Sequence, residues 1–83
     1  MNSQITFAQF DASLEELGFR KEVVKGSHVN YWHKQWEKPY MTMLHKPNDL
    51  VPNYLLAGTR IQLENLGLVT SDQFDELLQA AAA

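Results

Sequence analysis

Apolar residues near the start of the chain recur every three or four positions, with acidic residues between them. The apolar positions are Phe7, Phe10, Leu14 and Leu17. This spacing predicts a short amphipathic helix. Thr6 is a candidate N-cap for that helix, and Gly18 is expected to end it.

After this helix the chain changes to stretches that favour β-strands. Residues 19–25 and 28–34 carry β-branched and aromatic side chains and meet at a corner around Gly26, and residues 40–45 follow a polar, proline-ended connection. β-Branched and aromatic residues favour strands, whereas Gly and Pro mark the turns between them. The pattern therefore predicts three antiparallel strands.

The C-terminal half of the chain predicts two further helices. Pro52 suits the first position of a helix, and apolar residues continue from there to a stop at Gly67. Gly58 leaves two possibilities open: one helix that tolerates the glycine, or a break followed by a restart capped by Thr59. A short final helix opens at Ser71. The terminal alanines are assigned no role.

Composition fits one small α+β domain over residues 1–83. The chain contains no cysteine, so neither a disulfide framework nor a thiolate metal site can form, and a reducing compartment fits best. The N-terminal sequence does not resemble a secretory leader, and no apolar run approaches the ~18 residues that a membrane span needs. We therefore expect a cytoplasmic protein that does not cross a membrane.

The charges are separated along the chain, although the net charge is only -3. Residues 20–46 carry six lysines and arginines against two glutamates, an excess of four positive charges, together with all three histidines. Such a stretch suits a partner that carries phosphate groups. The alternative is that solvated strands simply favour lysine and that acidic helices flank them.

The basic stretch surrounds a Lys-Gly-Ser-His corner that places a histidine at the start of a strand. Strand alternation puts two sets of side chains on opposite faces: His28, Asn30, Trp32 and Lys34 on one, and Val29, Tyr31 and His33 on the other, which is the expected core face. No histidine or carboxylate spacing in the chain fits a metal site. We therefore expect no metal and no other cofactor.

A histidine among cations, without a metal, suits acid–base cleavage of RNA. RNA carries its own nucleophile in the 2′-hydroxyl, so cleavage needs a base for that hydroxyl, an acid for the leaving 5′-oxygen and cations for the developing charge. His28 is the expected acid or base. The expected RNA-binding residues are Lys25, Gly26, Ser27 and Lys34, with Lys21, His45 and Lys46 as weaker candidates.

Several short segments of the chain occur in a recognisable order. They are LEELGF at 14–19, KGSH at 25–28, MTMLH at 41–45, the segment 50–55 containing Pro52, and NLGL followed by QFDELL near the C-terminus. Together with the order helix, strand, Gly-Ser-His, strand, strand, helix, these segments resemble the HicA family of bacterial toxins over most of the chain. The Leu-Gly-Phe before one strand and the Gly-Ser-His before the next are the most specific parts.

The resemblance implies a fold, an activity and a partner. The fold is like that of double-stranded-RNA-binding domains, with a three-stranded antiparallel sheet packed against helices. The activity is that of an endoribonuclease, or mRNA interferase, whose catalytic residue is His28, and the partner is a cognate HicB antitoxin that covers the site. The chain departs from the family at Met43, where proline is usual, and over residues 52–67, which are about one helical turn longer.

Two other functions remain open on the residues alone. One is a non-catalytic RNA-binding module of the same fold, which grips RNA through phosphates and 2′-hydroxyls. The other is a protein-interaction domain whose basic face receives an acidic partner. RNA binding that is sensitive to salt but unaffected by His28→Ala would support the first, and protein binding without RNA affinity would support the second.

Overall fold

The computed structural model describes residues 4–24, 26 and 28–81. The elements follow in the order α1 (Phe7–Glu16), β1 (Arg20–Val24), β2 (His28–Trp32), β3 (Tyr40–Met43), α2 (Asn53–Leu66) and α3 (Ser71–Ala80). The strands form one antiparallel sheet in the order β1-β2-β3, as the sequence predicts for this α+β chain. Within the described ranges, no helix has the length and apolar character needed to span a membrane.

Helices α1 and α3 begin with the same capping arrangement. The hydroxyl of Thr6 accepts the backbone N–H of Gln9 at 3.3 Å, and the Gln9 side chain accepts the N–H of Thr6 at 3.0 Å. Thr70 and Gln73 repeat this reciprocal pair at α3, at 3.2 and 2.9 Å. Each pair satisfies two backbone donors that a helix start would leave open. Thr6 is therefore confirmed as the N-cap of α1. The predicted start of the last helix at Ser71 is also confirmed, with Thr70 as its N-cap.

Helix α2 runs without interruption through Gly58, so the alternative of a break and a restart capped by Thr59 is wrong. The hydroxyl of Thr59 instead donates to the carbonyl of Leu55 at 2.7 Å, within the helix. Pro52 is the N-cap residue rather than the first helical residue, so the helix begins one residue later than predicted, at Asn53. The helix stops at Gly67, whose φ of 73° lies in the left-handed region that glycine adopts without steric cost.

The strands are shorter than the sequence predicts. β2 ends at Trp32 rather than at residue 34, because the chain turns there and the N–H of Trp36 donates to the carbonyl of His33 at 2.9 Å. Trp36 packs in this connection, with its ring 5.2 Å from Phe19. The Trp36 ring also lies 6.0 Å from that of Tyr40, so it packs between the two ends of this connection. β3 ends at Met43, two residues early.

The helices pack against one face of the sheet and leave the other open. Val29 and Tyr31 of β2 are 0% and 1% exposed, and the Phe10 ring of α1 meets the Tyr31 ring edge to face at 5.8 Å. His33 is buried on the same side, so the predicted core face of β2 is confirmed. Asn30 lies on the opposite face, as alternation predicts, yet it is only 9% exposed.

Gly58 and Gly67 should respond to alanine in opposite directions. Gly67→Ala forces a side chain into the left-handed region and should lower the free energy of unfolding by about 1 kcal/mol. Gly58→Ala adds a Cβ 3.5 Å from the Tyr40 hydroxyl, an ordinary contact. It should raise stability by up to ~1 kcal/mol, because alanine favours a helix interior. Urea denaturation of both variants tests this, and a destabilised Gly58→Ala would contradict the continuous helix.

Candidate functional site

His33 has a structural role, because both nitrogens of its ring contact backbone groups. Its Nε2 lies 3.2 Å from the carbonyl of Leu17, and its Nδ1 accepts the N–H of Gln35 at 3.1 Å. Because a carbonyl can only accept, the ring proton is on Nε2, and the neutral imidazole satisfies both neighbours. The ring also packs 4.8 Å from that of Phe19. His33 therefore ties the end of α1 to the turn after β2.

His45 is buried on the side of the sheet that the helices cover. Its ring stacks on Phe7 of α1 with centroids 3.8 Å apart, and its side chain is 4% exposed. Nδ1 lies 3.1 Å from the carbonyl of Met43 and therefore carries a proton, while Nε2 lies 3.3 Å from a carboxylate oxygen of Asp11. These contacts place His45 away from the face that carries His28.

The carboxylate of Asp11 collects three partners from different parts of the chain. Lys21 donates from Nζ at 2.7 Å, the Tyr31 hydroxyl donates at 2.5 Å, and His45 approaches at 3.3 Å. Burial raises the pKa of Tyr31 above its ordinary value, and the hydrogen bond and negative charge of Asp11 raise it further. Lys21 and His45, both predicted as weaker RNA contacts, are thus brought together around an acidic residue of α1.

His28 stands at the start of β2 on the open face. It is half-buried, and its neighbours across the sheet are Val24 of β1 and Met43 of β3. Gly26 precedes it with a φ of 112° and with open space where a Cβ would be, so the glycine is needed for its backbone conformation. Lys25 and Ser27, two predicted RNA contacts, lie outside the described residues.

The remaining predicted contacts lie apart from His28. Lys34 is exposed in the turn beyond the other end of β2, and the strand between His28 and Trp32 alone extends over about 13 Å. Lys46 is exposed after β3, and its backbone N–H donates to Asp49 at 2.9 Å. Among the predicted residues, the structure therefore joins Lys21 with His45 but does not bring Lys34 to His28.

Two features of this region were not predicted from the sequence. The first is the Asp11 cluster, whose members are too far apart in the chain for any spacing rule. The second is a set of exposed apolar side chains along β3, the connection after it and the start of α2: Met41, Met43, Leu44, Leu50 and Tyr54. We call this set the β3 apolar surface. The outward methionines of β3 were a usable signal, since alternation places them opposite Tyr40 and Thr42.

A shallow groove connects His28 with the β3 apolar surface. Its volume is about 390 Å³, and Met43 and Tyr54 line it together with His28. No group of three or more potential metal ligands occurs in the described part of the chain. No protein-family model, no curated protein and no solved structure matches the chain.

The raised pKa of Tyr31 predicts how the stability of the fold depends on pH. The unfolded tyrosine titrates near 10.0 and the folded one above that value, so the stabilisation is complete below pH 10 and is lost as pH rises further. Tyr31→Phe should cost about 1.5 kcal/mol at neutral pH, the value of a hydrogen bond to a charged group. The gap between wild type and variant should then narrow above pH 10 in urea denaturation. The other lysines and tyrosines are present in both proteins, so their titration cancels in the difference between them. A difference in free energy of unfolding that stays constant to about pH 11 would contradict the Asp11 contact.

Proposed function

We propose that this protein is a toxin-type endoribonuclease that cleaves mRNA in the cytoplasm by metal-independent acid–base catalysis at His28. The fold we propose for it is the double-stranded-RNA-binding-domain-like fold of the HicA family. The arrangement of one helix, three antiparallel strands and a second helix, with the helices on one face, supports that fold. A short third helix follows.

The observation that carries the proposal is the contrast among the three histidines. His33 and His45 are buried, and both nitrogens of each ring have polar neighbours in the fold. His28 instead lies half-buried on the open face, and no described side chain or backbone group forms a hydrogen bond with its ring. An accessible imidazole is the group that acid–base catalysis near neutral pH requires.

The chemistry needs only one histidine and the RNA itself. The imidazole of His28 accepts the proton of a 2′-hydroxyl, and the 2′-oxygen attacks the adjacent phosphorus. The bond from phosphorus to the 5′-oxygen breaks, leaving a 2′,3′-cyclic phosphate on one product. The imidazolium returns its proton to the departing 5′-oxygen, so the other product ends in a 5′-hydroxyl. Lys25, the Gly26–Ser27 backbone and Lys34 are the proposed phosphate contacts.

The distribution of charge supports an approach of RNA from the sheet side. In the described part of the chain, the basic side chains in ion pairs are Lys21 with Asp11, His45 with Asp11, and Arg60 with Asp75. Arg20, Lys34 and Lys38 are exposed on or beside the sheet and form no such pair there. A polyanion would therefore meet unpaired positive charge around β2 and acidic charge around the helices.

We also propose that the β3 apolar surface binds a cognate antitoxin protein of the HicB type. Its side chains are between 52% and 77% exposed, with Tyr54 the most exposed. A contiguous exposed apolar surface of this kind marks a protein interaction site. Since Met43 and Tyr54 line the same groove as His28, a protein that covered this surface would also block access of RNA to His28.

Cleavage of a generic single-stranded RNA tests the proposed activity. In the presence of a chelator, wild type should cleave, and His28→Ala should cleave at least 100-fold more slowly, the usual contribution of a general acid or base. Glu15→Ala, an exposed change on α1, is the matched control and should retain full activity. Product ends are identified by mass spectrometry, and circular dichroism shows whether each variant is folded.

Two outcomes would overturn the cleavage proposal. One is equal cleavage by wild type and a folded His28→Ala variant, and the other is the absence of cleavage by wild type. RNA binding without cleavage would instead favour the non-catalytic module. Protein binding without RNA affinity would favour the interaction domain.

Growth arrest tests the proposed antitoxin surface. Expression of wild type should stop growth, and co-expression of an adjacent open reading frame for a HicB-type protein should restore it. Tyr54→Asp should still arrest growth but escape this neutralisation, because a buried unpaired carboxylate at an apolar interface is strongly unfavourable. Ile61→Asp, on an exposed apolar residue of α2 outside the β3 apolar surface, should remain neutralised. Neutralisation of Tyr54→Asp as complete as that of wild type would contradict the surface.

A further inference from the structure

The open face of β2 carries a row of three side chains that have different chemistry. Strand alternation and the pairing register put His28, Asn30 and Trp32 on this face. Their neighbours in the same face are Val24, Glu22 and Arg20 on β1, and Met43 and Met41 on β3. With one residue between successive members, the row extends over about 13 Å.

Asn30 is the unexplained member of this row. Only 9% of Asn30 is exposed, and its Oδ1 has no hydrogen-bond partner among the described residues. A buried acceptor without a donor costs about as much as a lost hydrogen bond, and native proteins retain few such atoms. Leucine at this position would avoid that cost. The amide therefore points to a donor that a ligand supplies.

Trp32 provides an aromatic surface next to this amide. Its side chain is half-buried, and its Nε1 donates to Glu22 at 3.1 Å. Glu22 is the cross-strand neighbour of Asn30, not of Trp32. The indole of Trp32 therefore extends along the sheet toward Asn30. Met41, on the other side of Asn30, is 57% exposed and unbranched, and such a side chain moves aside readily.

The charges around Trp32 favour an anionic ligand. Arg20 is its cross-strand neighbour, Lys34 follows it by two residues, and Lys38 is exposed in the next connection. The carboxylates in this region are Glu22, which is held by the indole N–H, and Glu37, which is exposed in the connection to β3. Cations that flank an aromatic ring are the combination that binds single-stranded nucleic acid.

We propose that the open face of β2 binds one unpaired adenine of single-stranded RNA, stacked on Trp32 and hydrogen-bonded to the amide of Asn30. An asparagine amide can accept from the N6 amine of adenine and donate to N7. Uracil also offers this amide a donor and an acceptor, N3–H and O4, so the preference for adenine comes from the larger area over which a purine stacks on Trp32. The phosphates of the same strand lie against Arg20 and Lys34. The strand then continues along β2 toward His28, so the base bound at Trp32 selects where the chain is cut.

The proposal takes its ligand class from the proposed ribonuclease activity, but the site itself does not require cleavage. Binding is therefore measured with 2′-O-methyl oligonucleotides, which lack the attacking hydroxyl. Oligo(A) and oligo(U) of equal length serve as the probes. Trp36→Phe leaves Trp32 as the single tryptophan of the chain, so its fluorescence reports the site directly.

In the Trp36→Phe protein, oligo(A) should quench Trp32 fluorescence saturably, and binding should weaken with added salt. Oligo(A) should bind more tightly than oligo(U), because a purine stacks over a larger area of the indole than a pyrimidine does. Asn30→Leu should weaken oligo(A) binding about 10-fold, the value of one bidentate base contact. It should unfold at a urea concentration no lower than its parent, because it removes an unpaired buried acceptor. Trp32→Ala should weaken oligo(A) binding about 10-fold, as measured by anisotropy of a labelled oligonucleotide.

Full oligo(A) affinity in folded Asn30→Leu would overturn the proposal, as would full oligo(A) affinity in Trp32→Ala. Trp32 is partly exposed, so Trp32→Ala is expected to fold. This variant therefore tests the site even if Asn30→Leu does not fold. Cleavage of ordinary RNA that depends on His28, combined with no Trp32-dependent binding, would refute this site alone. Binding with the expected preference but no cleavage would refute the catalytic proposal alone.

Discussion

The carboxylate of Asp11 is the contact on which the arrangement of the two layers depends. It joins α1 to β1 through Lys21, to β2 through Tyr31 and to the end of β3 through His45. A carboxylate that is largely removed from water requires several donors, and these come from β1, from β2 and from the segment that follows β3. The position of α1 against the sheet is therefore set by one charged group as well as by the apolar contacts of Phe7 and Phe10.

This polar cluster also determines which side of the sheet is left for function. Lys21 and His45 are basic residues of the central stretch, yet both are occupied at the inner face by Asp11. The outer face keeps His28, Asn30 and Trp32, and none of the helices covers it. The separation follows from strand alternation, because a one-residue shift in register would exchange the two sets. The proposed cleavage and base-binding sites both rest on this single assignment of faces.

Local sequence predicted most of the secondary structure and one important part of the site. The Thr6 cap, the stop at Gly67 and the three strands depend on residues within a few positions of each other, so the pattern contains the information. The core face of β2 was also predictable, and Val29 and Tyr31 are buried as expected. The choice between one helix and two around Gly58 was not, because this part of α2 contacts Tyr40, which lies 19 residues away from Thr59 and gives no local signal.

By itself the sequence determined the elements, their order and the placement of His28 at the start of a strand after Gly26. Only the tertiary structure decided that Asp11 and His45, which are 34 residues apart, share a contact. It also decided that Asn30 is buried without a partner and that the apolar residues of β3 and α2 form one surface. The physical reason is the separation along the chain over which each kind of interaction acts. Caps, turns and alternation act between neighbours in the chain, whereas burial and ionic contacts depend on which segments the sheet and helices bring together.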